Sequence, residues 1–160
     1  MKTTAKIISV LLIAVMAIGM AGCNKTNKTV KPDIKELQQH KGDMLVITSY
    51  PQEAMPREQY EKGIMRLSVS YEGVAYNPNP VNNSGVKLPN DEYMMIYNFC
   101  VDAAAKERFK DYSEQVCDGE TYKFTYYDTE GNEHVIYNGY CYANEELQNI
   151  MKMISKYSLD

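Results

Sequence analysis

The chain of 160 residues has no tryptophan, three phenylalanines and two histidines, His40 and His134. With a single histidine beyond residue 42, a His-based catalytic pair or metal cluster there has one imidazole to draw on. Cys100, Cys117, Cys141 and His134 lack the closely spaced ligand pairs of a zinc ribbon or finger, so no metal site is expected. The acidic stretch from Asp128 to Glu133 lacks the twelve-residue pattern of a calcium loop and reads as a hairpin turn. Nucleophile-elbow, glycine-rich phosphate-loop and zincin signatures are missing, and no catalytic residue or cofactor is indicated. Basic residues are in deficit too, with 17 Lys/Arg against 21 Asp/Glu, and no basic stripe is present to hold nucleic acid.

A long apolar run is also missing. Ile7 to Ala21 is apolar apart from Ser9 and Gly19, shorter than the roughly 20 residues a membrane-spanning helix needs. Lys2 and Lys6 precede it, as in the charged and apolar regions of a secretory signal. The run ends in Met20-Ala21-Gly22-Cys23. An aliphatic residue, two small residues and a cysteine form a pattern that resembles the lipobox of bacterial lipoproteins, with Met20 standing where leucine is more usual. The resemblance implies that residues 1–22 are a signal peptide and that the Cys23 thiol is the lipidation site. The chain would then be exported and lipid-anchored at the cell envelope, its membrane contact made through the anchor. Two or three acyl chains, at about 0.8 kcal/mol per buried CH₂, hold far more firmly than one myristoyl chain.

Residues 23–41 read as the lipidated cysteine and a flexible spacer, polar and interrupted by Pro32, in which a short helix from Asp33 to His40 would be marginal alone. Residues 24–41 hold five lysines against Asp33 and Glu36, a balance of +3, whereas residues 42–160 hold ten Lys/Arg against nineteen Asp/Glu, a balance of −9. A basic stem is favoured beside anionic headgroups by up to about 1 kcal/mol per residue, and an acidic body is repelled from them.

Residues 42–160 suffice for one domain. Asp43–Tyr50 reads as a strand, 51–62 as a polar loop, and Ile64–Tyr71 with Val74–Tyr76 as a hairpin about Glu72-Gly73. Asn77 to Gly85 is turn-rich. Asn90 is placed as the N-cap of a helix running to about Phe109, with Asp91 and Glu92 suiting its dipole. Thr121–Tyr127 and His134–Tyr142 form a second hairpin about Asp128–Gly131, and Asn144 caps a final helix striped by Leu147, Ile150, Met151 and Ile154. The expected fold is α+β: a small antiparallel sheet of hairpins with two helices packed on one face.

If Tyr127 opposes Asn132, Tyr122, Phe124, Tyr126, Val135 and Tyr137 share a core face, while Thr121, Lys123, Thr125, His134 and Asn138 share the other. Tyrosine is abundant, at fourteen residues, and it makes a stiff amphipathic contact surface. Tyr127, Tyr140 and Tyr142, with His134, are the candidate contact residues. The hairpin brings Cys117 and Cys141 together as a candidate disulfide, closing a loop worth roughly 3 to 3.5 kcal/mol. These features suggest a non-enzymatic binding domain for a protein or envelope ligand. One alternative is a small envelope hydrolase using acids, or Cys100 or Cys141 with His134. Another is an immunity-type inhibitor whose acidic surface matches a basic partner.

Overall fold

Backbone pairing follows the stretches rich in β-branched and aromatic residues. A computed structural model describes residues 32–52, 54–76 and 85–157. In chain order the elements are α1 (Ile34–Leu37), β1 (Asp43–Tyr50), α2 (Arg57–Gly63), β2 (Met65–Ser70), β3 (Val74–Tyr76), β4 (Val86–Lys87), α3 (Asn90–Ala105), β5 (Thr121–Tyr127), β6 (Glu133–Gly139) and α4 (Glu145–Ser155). The six strands form one sheet in the order β4-β3-β2-β1-β5-β6 with every pair antiparallel. The fold is α+β. Among the described residues no helix is long and apolar enough to cross a membrane.

Alternation along the central strand β1 sets the core. Leu45 lies opposite Val69 and Tyr126, and Ile47 opposite Leu67 and Phe124, so these residues share one face. Helix α3 brings Tyr93, Ile96, Phe99, Cys100 and Ala103 to the core, and α4 brings Leu147, Ile150 and Ile154. All belong to one buried cluster with the sheet residues, α3 lying against β5 and β6 and α4 against β2. Each large apolar side chain so buried stabilises the fold by about 1.5–3 kcal/mol.

The N-terminal boundary differs from the sequence expectation. The compact unit starts at Pro32, so the spacer read as 23–41 is too long. Asp33 accepts a hydrogen bond from the Lys35 amide at 2.9 Å and caps α1, and Leu37 is buried to 3% exposure in the core. That buried contact is what makes a one-turn helix persist. The expected loop 51–62 contains helix α2, entered at Pro56 and carrying Arg57–Glu61 at 2.9 Å and Lys62–Glu58 at 2.7 Å, both spaced one helical turn apart. Asn90 is not the N-cap of α3; Pro89 occupies that position, and Asn90 is the first helical residue. The helix ends at Ala105, where Glu107 turns to a positive φ of 47°, although Phe109 still reaches the core.

The second hairpin is offset by one residue from the expected register. Gly131, at φ 85°, occupies the left-handed position of a tight loop, and the Asp128 amide donates to the Asn132 carbonyl at 3.1 Å. A three-residue loop therefore replaces the four-residue one, and Tyr127 opposes Glu133 rather than Asn132. A one-residue slip exchanges faces: His134 joins Tyr126 on the core side, and Val135 is 53% exposed instead of buried. Between Phe124 and Thr125 the register shifts, leaving Ile136 as the extra residue of a bulge and returning Tyr137 to the core opposite Phe124. Residues 1–31, with the expected signal peptide and Cys23, and the turn-rich stretch 77–84 lie outside the described residues.

Candidate functional site

Side chains converge at both ends of the β5–β6 hairpin. At its turn end, Asp128 accepts from the amides of Glu130 and Asn132, each at 2.9 Å, and lies 3.0 Å from His134 Nε2. The His134 ring, followed by the Asn132 groups, holds the Asp128 carboxyl well below the usual carboxylate range. His134 stacks on Tyr126 with ring centroids 5.7 Å apart. Tyr71 donates to the Tyr127 carbonyl at 2.8 Å, and the His40 and Tyr71 ring centroids are 5.5 Å apart. Burial pushes both Tyr71 and Tyr126 up, Tyr126 to about 12. The two histidines, far apart in sequence, thus flank one tyrosine cluster.

Beside this cluster is a cleft of about 460 Å³, lined among others by His40, Lys41, Asp43, Arg66, Tyr127 and Asp128. Its charges are largely spent internally: Arg66 reaches Asp43 at 2.5 Å and Lys41 reaches Glu72 at 3.0 Å. His134 is not in that lining; it borders a smaller hollow of about 260 Å³ with Ala103, Ala104 and Val135.

At the open end, Tyr142 is fixed at both extremities. Its amide donates to Glu114 at 2.8 Å, and its hydroxyl accepts from the Glu120 amide at 2.6 Å while donating to the Glu120 carbonyl at 3.2 Å. The ring crosses Gly119, where a Cβ would come within 2.6 Å of the tyrosine oxygen, so only glycine permits this approach. Tyr140 stacks on Tyr142 at 6.4 Å, and Tyr122 meets it edge-on at 6.2 Å. Glu114 also accepts from the Ala143 amide at 3.0 Å and from the Tyr112 hydroxyl. Burial alone would raise its pKa, but the Tyr112 hydroxyl and the amides of Ala143 and Tyr142 hold it below the usual carboxylate range.

The four candidate contact residues are therefore not one surface. Tyr127 and His134 belong to the turn end, where they face opposite sides of the sheet. Tyr140 and Tyr142 lie at the other end of the hairpin, roughly 17 Å away at about 3.4 Å per strand residue. Cys100, Cys117 and Cys141 are free thiols, and no bridge joins Cys117 to Cys141. Cys117 is exposed, whereas Cys141 is buried, its thiol pushed up to about 12 by that burial. Burial pushes the Cys100 thiol higher still. Buried thiols of raised pKa are poor nucleophiles. The described residues include no grouping of three or more His, Cys, Asp or Glu that could hold a metal ion.

No protein-family model matches the chain, and neither a curated protein nor a solved structure is significantly similar to it. Sequence reasoning missed His40 and Tyr71, because the first lay in a stretch read as spacer and the second at a strand end. Glu114 was missed as well; its signal was an acid among polar residues, which is indistinguishable from a solvated loop.

Proposed function

We propose that this chain is a bacterial envelope lipoprotein, anchored through Cys23, whose compact unit from Pro32 onward is displayed as a binding domain for a protein or other envelope ligand. The observation that carries this reading is the coincidence of three boundaries. The lipobox-like Met20–Cys23 is followed by a short basic stem, and all 21 acids of the chain lie from Asp33 onward. The compact unit begins at Pro32. Residues 1–31 hold five lysines and no acid, while the unit holds twelve Lys/Arg against twenty-one Asp/Glu, a balance of −9. With the spacer cut to residues 24–31, the stem spans at most about 30 Å even fully extended. The domain works close to the headgroups, its charge turning it away from them.

Three hydrogen-bonded carboxyls lack the displacement that glycosidic cleavage would need. Glu72, Glu114 and Asp128 all move down, whereas a general acid for glycosidic cleavage needs a carboxyl that has moved up. Fractionation of cells carrying Cys23→Ala tests the anchor. The variant is expected to remain a precursor or to appear unlipidated; mature-size protein still in the membrane fraction would contradict the reading.

A further inference from the structure

We propose that the open end of the hairpin, built on Tyr140 and Tyr142, is a docking platform for a cationic polypeptide segment, an inference that rests on reading the unit as a binding domain. Tyr142 is 46% exposed, yet its backbone and hydroxyl are both held by hydrogen bonds, so little side-chain entropy remains to be lost when a partner covers it. The Tyr140 backbone is held in turn, because the Tyr137 hydroxyl donates to its carbonyl, and its ring stacks on Tyr142. A large apolar ring with a polar tip, pre-set and partly in water, is the side chain that dominates contact surfaces.

Charge complementarity decides what covers it. The two segments that build the platform, 111–122 and 139–147, contain six acids and no Lys, Arg or His. Glu114 is engaged by the loop amides and Glu146 by Arg108. Among the described residues, no Lys or Arg pairs with Asp118, Glu120 or Glu145. The turn end differs, because Asp43 and Glu72 there are already paired with Arg66 and Lys41. A guanidinium or ammonium laid over a tyrosine face gains from the ring quadrupole, and here carboxylates stand beside that face. A neutral glycan could stack on the rings but would make no use of the surrounding charge.

The test is fluorescence anisotropy of a labelled twelve-residue peptide of alternating arginine and glycine, titrated with the detergent-solubilised full chain. Tyr142→Leu keeps bulk and net charge, and it is expected to weaken binding about fivefold or more. Glu120→Gln, which leaves both backbone bonds to Tyr142 in place, should weaken binding about twofold. Tyr127→Leu at the other end should leave it unchanged. Affinity should fall as salt rises. Equal affinity of wild type and Tyr142→Leu would overturn the platform and leave only diffuse attraction to a −9 body. Binding of a neutral chitin oligosaccharide, abolished by Tyr142→Leu while the peptide fails to bind, would overturn the cationic class. Neither result depends on lipidation of Cys23, so failure here and failure of the anchor are read separately.

Discussion

At the turn end of the β5–β6 hairpin, Tyr71 is 2% exposed, its hydroxyl bonded inward to the Tyr127 carbonyl, while at the open end Tyr142 is 46% exposed with its hydroxyl bonded to a surface loop. Both tyrosines are held at the oxygen, so fixation alone does not distinguish them. What differs is where the ring lies: one fills the core cluster, and the other covers Gly119 and faces water. The same residue type thus serves packing in one place and presentation in the other. The surrounding charge follows suit: Asp43 and Glu72 are paired with Arg66 and Lys41 at the turn end, whereas among the described residues Asp118, Glu120 and Glu145 at the open end have no Lys or Arg partner.

The largest effect expected from this contrast is on stability. Tyr71→Ala should cost about 3–5 kcal/mol, as large aromatic truncations in cores do, measured by denaturant unfolding. A cost near that of a surface change would place Tyr71 outside the core and collapse the comparison. A second effect is pH-dependent. Tyr126 titrates near 12 in the folded chain, above its ordinary value of about 10. Its neutral form therefore contributes stability that is fully present below about pH 10 and is lost as pH rises through 12. Alkaline unfolding should coincide with ionisation of buried tyrosines by ultraviolet absorbance; ionisation of every tyrosine before any unfolding would deny that cluster its burial. The smallest effect is Tyr142→Ala, expected to cost about 1 kcal/mol for the net loss of its hydrogen bonds. A loss matching that of Tyr71→Ala would make the open end structural too.

Periodicity alone revealed β1, both hairpins and α4, because their patterns of β-branched, aromatic and apolar residues agree with their burial. It failed where a few residues decide. The register of β6 turned on whether Gly131 closes a three- or four-residue loop, and that choice exchanged the faces of His134 and Val135. Leu37 looked like an isolated apolar residue in a polar stretch, since its partners come from distant segments. Helix α2 had a readable signal in Pro56 and its i,i+4 charge pairs, outweighed by the polarity of the segment. The tyrosines at 140 and 142 were legible as contact candidates by type. Their fixation by Glu114 and Glu120 was not, because those bonds join residues more than twenty positions apart in the chain.

In chains carrying Cys23→Ser, Cys117, exposed and two residues from Gly119, offers a direct comparison of the two ends, since Cys100 and Cys141 are buried. The thiol would be labelled with a benzophenone maleimide and irradiated with the arginine-glycine peptide, in parallel with a Cys117→Ser, Thr129→Cys chain labelled at the turn. The account predicts a peptide adduct from position 117 and none from position 129. An adduct from 129 with none from 117 would contradict it.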